Sequence, residues 1–413
     1  NIMRKLRIKY RSVDGWSYSG GRSNNIWGQV PTSNLPLDLI NHSIMQGKKA
    51  CVWTCYDEQI YKKDEDGNLI SIKLENLPKS ISATFKPTYS RYSAIAENLG
   101  MRIALALDLP TSYNYIVEFD FQDDKAGFKS LLKHLNERDL KNLQPYGIVS
   151  IDFLKPSNDS SIYLSTAYSG ERLVSFEESM KMAEAIFSDN SDKPFLVKNW
   201  LKSLCAFIRD KKEQYLPDIS QEKLEKQIKC VKSRVVRSFL LREFLGDCDF
   251  TDRNSGFIFD SKAQDLQFAP NFDYGESFNA LIKTKLDYLP PKEEVEIILK
   301  WDKDYLKRKE EKSKTPIETL ASQFSSNTSE ENIKYIVENY QDDTKEFLGS
   351  LKNLITNSNI LDRLVDDYTK SERNNPPLLT PNEANIFKSY IYCRANWLIN
   401  YLDKELKSNK QLS

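Results

Sequence analysis

Histidine is almost absent from this chain, which has only two histidines, His42 and His134, among its 413 residues. Catalysis by a Ser-His-Asp or Cys-His group needs a histidine beside the nucleophile, and histidine-rich metal sites need several. Both classes of site are therefore nearly excluded. Chemistry that depends on aspartate and asparagine, such as phosphoryl transfer, needs no histidine and stays open.

Net charge and long apolar runs are lacking as well. Lysine plus arginine and aspartate plus glutamate both total 59, so the formal net charge is zero. This balance gives no support to direct nucleic-acid binding or to an anionic membrane as a partner. No apolar run approaches the roughly 20 residues that a transmembrane helix needs. Nothing at the start has the pattern of a signal peptide, so we expect no membrane partner.

The six cysteines are scattered along the chain, and Cys51 and Cys55 form the only close pair. A zinc site would need two further ligands, which two histidines hardly supply. Buried, reduced thiols are the better interpretation. Because disulfides are rare in the cytosol, this use of cysteine predicts a cytoplasmic protein.

The densest chemistry lies in residues 245–278, LGDCDFTDRNSGFIFDSKAQDLQFAPNFDYGESF. Apolar residues at helical spacing lead into this run and stop at Gly246, which predicts the end of a helix. A polar, aspartate-rich loop follows. Residues 256–259 and 266–269 then predict two short strands joined by a tight turn.

An antiparallel hairpin returns the chain to the end from which it started. Asn254, just before the first strand, and Asp273, just after the second, are therefore expected at the same end, and Asp249 lies five residues before Asn254. Hard oxygen ligands of this kind suit Mg²⁺, which takes one or two protein ligands and nucleotide phosphates. The remaining aspartate would orient and deprotonate an attacking hydroxyl. The alternative, an acidic turn of capping side chains, explains single residues but not their joint spacing.

Residues 246–254, GDCDFTDRN, resemble the G-N-x-D-x-H-x-K/G-N catalytic loop of the HipA-type serine/threonine kinases. Residues 269–273, APNFD, resemble their A-P-x-Y/F-D metal-binding segment. The loop runs directly into an S-G-F strand, as in the CtkA-like branch of these kinases, which share a catalytic core with phosphatidylinositol kinases. The resemblance implies that Asp249 is the catalytic base and that Asn254 and Asp273 hold Mg²⁺.

The match departs from the family pattern at two positions. Thr251 replaces the usual histidine, and Asp247 replaces the usual asparagine. Neither change removes the base or the two metal ligands, but Thr251 would alter how Asp249 is held. The specific motifs cover about residues 80–290.

Residues 92–107 predict an amphipathic helix that Pro110 stops, and this helix resembles the family's E-x-x-A-x-x-L-A-x-x-L-G-L-P-V element. On that match Glu97 is the helix glutamate. Lys86, near the end of a predicted strand, is then the lysine that positions the nucleotide phosphates. Lys73 is the rival candidate, because the family spacing between lysine and helix varies. For both Lys86 and Lys73, the alternative is an ordinary surface lysine at the end of a strand.

Residues 15–25, GWSYSGGRSNN, form a loop of small residues whose backbone amides can cradle phosphates. The loop resembles the glycine- and serine-rich nucleotide loop of the family, with Ser19, Gly20 and Gly21 at its centre. Related kinases silence themselves by modifying a serine in this loop, so the resemblance also implies autophosphorylation. An ordinary glycine-serine turn is the alternative.

The strand predicted at residues 146–154 stands where a two-lobed kinase has its hinge, and there the backbone of Ile151 and Phe153 would pair with adenine. The alternative, an ordinary central strand, would have the same sequence pattern.

Strand patterns dominate up to this strand, and helical patterns follow it. We expect an α+β, two-lobed protein-kinase-like fold with a β-rich, nucleotide-binding N-lobe (residues 1–152). A mainly helical C-lobe (residues 153–413) carries the catalytic loop and the metal segment.

The favoured function is an ATP- and Mg²⁺-dependent kinase acting on a serine or threonine of a protein substrate. The resemblance also implies an antitoxin or other regulatory partner, as in a toxin system. Two alternatives stay open. One is a pseudokinase that binds nucleotide and acts as a regulatory module, and the other is a kinase of small molecules or lipids on the same scaffold.

Overall fold

The computed structural model describes residues 3–5, 26–31, 53–56, 59–63, 69–72, 80–88, 90–118, 146–151, 161–165, 197–247, 255–278, 281, 329–357, 360–370 and 377–412. Both strands and helices occur, so the chain is a mixed α and β protein that is mostly helical in the described residues. Two compact units divide the chain, Asn1–Met101 with Thr111–Ile162 and Arg102–Pro110 with Tyr163–Ser413. The assignment of a nucleotide-binding and a catalytic lobe stays a prediction.

Two sheets occur in the described part of the first unit. Its strands are β1 (Met3–Lys5), β2 (Ile26–Pro31), β3 (Trp53–Tyr56), β4 (Gln59–Lys63), β5 (Leu69–Ile72), β6 (Ser80–Pro87), β7 (Asn114–Glu118) and β8 (Tyr146–Ile151). The larger sheet has the order β1-β7-β8-β6-β2. In it β1 runs parallel to β7, and all other neighbours are antiparallel. Strands β3, β4 and β5 form an antiparallel meander.

Helix α1 (Arg91–Ala106) follows β6 directly. It begins after Ser90, whose hydroxyl oxygen accepts a hydrogen bond from the backbone N–H of Tyr92 at 3.2 Å, as an N-cap residue does. It ends where Asp108 adopts a left-handed φ of 56°, two residues before Pro110. The predicted helix and its stop are confirmed, and so is the strand predicted before it.

The second unit is mainly helical. Its helices are α2 (Val197–Tyr215), α3 (Gln221–Leu245), α4 (Ser329–Asn339), α5 (Gln341–Thr356), α6 (Ile360–Asp366) and α7 (Pro381–Leu412), and a three-stranded sheet has the order β11 (Asp265–Phe268), β10 (Gly256–Asp260), β9 (Ser161–Ser165). Strand β9 crosses the division between the units. Helix α7 packs against α3, α4, α5 and α6. It is therefore the central helix of this packing.

Aromatic side chains fix the β10–β11 hairpin against helix α2. The ring of Phe257 stacks on Phe207 of α2 with centroids 5.7 Å apart and meets Phe268 edge-on at 6.1 Å. Tyr215, at the end of α2, packs against Phe259 at 5.4 Å. Burying one such ring stabilises the fold by about 1.5–3 kcal/mol. The hairpin is thus part of the core of this unit and not a surface excursion.

The structure shows the state of three cysteines. Cys205, Cys230 and Cys393 are free thiols, of which Cys205 is buried and Cys230 is exposed. The prediction of buried thiols therefore holds for Cys205 and is wrong for Cys230. In the part of the chain that the structure describes, no helix combines the length and the apolar character needed to cross a membrane.

Candidate active site

Gly246 ends helix α3 at the start of the predicted catalytic loop. Its φ of 63° and ψ of 39° are left-handed, and its backbone N–H donates to the carbonyl oxygens of Arg242 and Glu243. The N–H of Asp247 donates to the Arg242 carbonyl at 3.0 Å. This pair of bonds is a Schellman motif, which favours glycine because a Cβ is strained there. The helix end predicted from the sequence is confirmed.

We expect Gly246→Ala to lower the free energy of unfolding by about 2–4 kcal/mol, the sum of left-handed backbone strain and local overpacking. An added Cβ would lie 2.7 Å from the hydroxyl oxygen of buried Tyr390. Urea unfolding followed by circular dichroism measures the change.

Gly349 offers a matched control in the interior of helix α5, because a Cβ there would meet no atom within 4 Å. Gly349→Ala is expected to raise the free energy of unfolding by about 0.5–1 kcal/mol, since glycine is a poor helix former. Equal, small effects of the two substitutions would contradict the assigned role of Gly246.

The hairpin brings the two flanks of the predicted metal site to one end. Strand β10 pairs antiparallel with β11, with Phe257 opposite Phe268. The N–H of Ala269 donates to the Gly256 carbonyl at 2.8 Å, which continues the pairing past β11. Helix α3 also holds the hairpin, because the side chain of Gln227 accepts from the N–H of Leu266 at 3.1 Å. The predicted hairpin is confirmed.

Asp273 stands in a left-handed backbone conformation with a φ of 60°. For a residue with a Cβ this conformation costs roughly 1–2 kcal/mol, and such outliers cluster at functional sites. Two residues earlier, Asn271 donates to the carbonyl of Pro110 from its backbone N–H at 3.0 Å and from its side-chain amide at 3.1 Å. Asp273 itself is only half-buried. The segment is therefore anchored two residues before Asp273.

A buried arginine anchors the same segment from helix α3. Arg242 donates from Nη1 to the Asp273 carbonyl at 2.8 Å and from Nη2 to the Phe272 carbonyl at 2.5 Å. Nη1 also pairs with the carboxylate of Asp247, which accepts a further bond from Ser277 at 3.2 Å. Burial is the largest single influence and opposes the charge of Arg242, but Asp247, Tyr274 and Asp273 together outweigh it and raise the pKa of Arg242 above its ordinary value. Asp247 is thus committed to a buried ion pair.

A second buried arginine, Arg394 of helix α7, holds the end of α3. Its guanidinium donates to the carbonyl oxygens of Glu243 and Phe244, the latter at 3.4 Å. Carbonyls in the last turn of a helix lack partners within the helix, so a cation there is favourable. Burial lowers the pKa of Arg394 below its ordinary value. Helix α7 therefore helps to hold the last turn of α3.

Lys86 and Glu97 form an ion pair in the first unit, with 3.2 Å between Nζ and Oε2. The glutamate side chain is 4% exposed and the lysine 22%. Helix α1 is held beside β7 because Asn98 donates to the side chain of Asn114 at 3.1 Å, and Asn114 donates to the Glu97 carbonyl at 3.0 Å. The pair joins strand β6 to helix α1, as the preferred assignment of the strand lysine requires.

Of the remaining predicted site residues, the structure describes only Ile151. Ile151 is the last residue of β8, opposite Ala83. The remaining ones lie outside the described residues: Ser19, Gly20, Gly21, Lys73, Phe153, Asp249, Thr251 and Asn254. Their roles stay predictions.

The donor atoms at the end of the hairpin fit a magnesium ion. Asp273, a half-buried residue, offers a carboxylate, and Asn254, next to described Ser255, would add an amide oxygen. Mg²⁺ usually takes one or two such ligands and completes its shell with phosphates and water. Within the described ranges no group of three or more His, Cys, Asp or Glu residues forms a metal site.

Sequence reasoning missed Arg242, Asn271 and Arg394. Each acts on backbone carbonyls that are distant in the sequence, and such contacts leave no periodic pattern. The signals available were weak ones. Arg242 and Arg394 lie on the apolar faces of two predicted helices, where a charged residue needs a specific buried partner.

Comparison with known proteins gives matches among solved structures alone. No protein-family model and no curated protein matches the chain. The proinflammatory kinase CtkA of Helicobacter pylori matches with 11% identity and a TM-score of 0.44, covering 87% of this chain and 97% of CtkA. HipA of Shewanella oneidensis MR-1, from a toxin–antitoxin complex with HipB and operator DNA, matches with 12% identity and a TM-score of 0.43. That match covers 87% of this chain and 68% of HipA.

These two structures bear the names of the family and the branch that the motifs resemble, and the similarity found is one of fold. At such low identity and TM-score the match carries no inference about reaction, ligand or partner. Those questions depend on the residues of this chain.

Proposed function

We propose that this chain is an ATP- and Mg²⁺-dependent kinase that transfers the γ-phosphate to a serine or threonine hydroxyl of a protein. The observation that carries the proposal is the ion pair of half-buried Lys86 and buried Glu97 between β6 and α1. Kinases of the two-lobed type use a lysine on a strand, held by a glutamate on the following helix, to position nucleotide phosphates. A lysine that serves only solubility has no need of a buried glutamate.

In this proposal Asp249 accepts the proton of the attacking hydroxyl, and Lys86 neutralises phosphate charge. Asn254 and Asp273 hold Mg²⁺, which when bound offsets the charge on the phosphates. The remaining nucleotide contacts come from backbone groups of Ser19, Gly20, Gly21, Ile151 and Phe153.

Two other functions remain candidates. A pseudokinase that binds nucleotide without transfer is favoured by Thr251, which stands where the family has histidine. A kinase of lipids or small molecules would use the same residues toward a different acceptor. An antitoxin-type or other regulatory protein partner and a cytoplasmic location belong to the same proposal.

The deciding experiment incubates purified protein with radiolabelled ATP and Mg²⁺, wild type beside Asp249→Ala. Transfer by the wild type to itself or to an added protein, and its loss in the variant, supports a kinase. Mg²⁺-dependent ATP binding without transfer in either protein identifies a pseudokinase. Transfer to lipid alone, in vesicles added to a parallel sample, identifies the third function.

We also expect autophosphorylation within residues 15–25, at Ser17, Ser19 or Ser23. About two added negative charges would oppose the phosphates of ATP and favour release of the loop from the nucleotide. Mass spectrometry after incubation with ATP detects the modification, and Asp249→Ala treated in the same way is the control. Unmodified peptides covering all three serines in an otherwise active preparation would contradict this expectation.

A further inference from the structure

We propose that Arg242 is a positioning residue for the metal site. Its guanidinium fixes the backbone carbonyls of Phe272 and Asp273, and Asp247 neutralises that guanidinium so that it does not compete with Mg²⁺ for the Asp273 carboxylate. This inference rests on the proposed function, because it takes Asp273 as a metal ligand. It assigns a role to a buried ion pair that the predicted chemistry does not use.

The geometry of the guanidinium carries the first step. Arg242 is 1% exposed, and its two terminal nitrogens reach three acceptors, the carbonyls of Phe272 and Asp273 and the carboxylate of Asp247. Its Cζ atom lies 4.2 Å from the centre of the Tyr274 ring, which confines the plane of the group. A planar fork can hold two carbonyls in a fixed relation, and a lysine ammonium, as a single point of charge, cannot.

The conformation of Asp273 is the second step. Aspartate tolerates a left-handed φ better than most residues but does not prefer it, so neighbouring contacts select this conformation at Asp273. Pro110 anchors Asn271 on one side of the segment, and Arg242 binds the next two carbonyls. Without the second anchor, Asp273 can relax to the ordinary region of φ, which turns its carboxylate in a new direction. Arg242 therefore sets the direction of the proposed ligand without touching the metal.

Charge is the third step. The carboxylates of Asp247 and Asp273 both stabilise the positive charge of Arg242, and the effect of Asp247 is the larger one. Since Asp247 is fully buried in direct contact with Arg242, the two charges cancel locally. Without the Asp247 charge, the guanidinium would be compensated by Asp273 instead, in competition with Mg²⁺. Asp247 thus keeps the positioning arginine from acting as a rival cation.

The test uses Arg242→Lys and Asp247→Asn, with Arg394→Lys as a matched control. Arg394 is equally buried and also binds backbone carbonyls, but these are the carbonyls of Glu243 and Phe244 at the end of α3, whereas Arg242 binds those of Phe272 and Asp273. Loss of the Arg394 guanidinium should lower the free energy of unfolding by an amount similar to that for loss of the Arg242 guanidinium. Two properties are measured for each protein, hydrogen exchange of residues 269–278 without nucleotide and the Mg²⁺ concentration that half-saturates ATP binding in calorimetry.

We expect both test variants to raise the half-saturating Mg²⁺ concentration by about 10–100-fold, the usual effect of losing a group that orients a metal ligand. Arg242→Lys should also speed hydrogen exchange in residues 269–278, while Asp247→Asn, which keeps the fork on the carbonyls, should do so less. The rate of phosphate transfer at saturating Mg²⁺ should fall by a smaller factor than the affinity for Mg²⁺. Arg394→Lys should lower the unfolding temperature and leave the Mg²⁺ dependence unchanged.

Three outcomes overturn the inference: unchanged exchange and Mg²⁺ dependence in Arg242→Lys, an equal effect of Arg394→Lys, or a normal Mg²⁺ dependence in Asp247→Asn. If Arg242→Lys fails to fold, the nearly isosteric Asp247→Asn decides alone. Absence of Mg²⁺-dependent ATP binding in the wild type would refute the proposed function instead. The exchange measurement then still decides whether Arg242 fixes the segment.

Discussion

Asp249→Asn is expected to lower kcat by about 10²–10⁴, the usual contribution of a general base, while the affinity for Mg²⁺-ATP stays almost unchanged. Orientation of the hydroxyl and acceptance of its proton act mainly in the transition state, so ground-state binding should not suffer. The substitution preserves size and most hydrogen bonding, and it therefore isolates the charge. A folded protein that binds nucleotide and transfers almost no phosphate is the predicted result.

The measurement combines phosphate transfer with calorimetric titration of ATP in the presence of Mg²⁺. Asp252→Asn, in the same loop, is the matched control and should transfer at close to the wild-type rate. Near-wild-type transfer by Asp249→Asn would remove its catalytic role and point to Asp252, because Asp247 is buried under Arg242. Joint loss of ATP binding and transfer would place Asp249 among the metal ligands.

Asp273→Asn is expected to abolish the Mg²⁺ dependence of ATP binding. Mg²⁺ is a hard cation whose binding depends on carboxylate charge, and an amide cannot supply that charge. Backbone strain should contribute little to the effect, because asparagine tolerates the left-handed region as aspartate does. Calorimetric titration of ATP with Mg²⁺ and with a chelator in its place measures the difference.

Asp108 provides the matched control for this substitution. It is an exposed aspartate with a left-handed φ of 56°, close to the 60° of Asp273. Asp108→Asn should leave both the fold and the Mg²⁺ dependence of ATP binding as they are in the wild type. An unchanged Mg²⁺ dependence in Asp273→Asn would show that the metal assignment is wrong.

The elements around the site follow from local signals in the sequence. Gly246 after a run of apolar residues at helical spacing marks the end of α3, and Pro110 marks the end of α1, because each residue acts on its own stretch of backbone. The hairpin is equally local, since residues 256–260 and 265–268 are joined by a short turn. Signals of this range can be recognised without knowledge of the rest of the chain.

The contacts that hold the candidate site could not be derived in this way. Arg242 meets the carbonyls of Phe272 and Asp273, about thirty residues later in the chain. Arg394 reaches the end of α3 from α7. Such contacts depend on how helices pack and on which backbone groups lack a partner within their own helix or strand. The spacing of apolar residues in the sequence indicates neither. Asp247 illustrates this limit. In the sequence it looks like a variant position of the catalytic-loop motif, whereas in the structure its carboxylate pairs with buried Arg242.

The contact of Arg394 with the end of α3 has a consequence for how the protein is made. Synthesis on the ribosome proceeds from the N-terminus, so α3 and the hairpin emerge well before α7. Until α7 has folded back, the carbonyls of Glu243 and Phe244 lack the guanidinium that binds them, and Gly246 lacks the tyrosine that packs on it. A nascent chain therefore cannot complete the end of α3 until most of α7 has been synthesised.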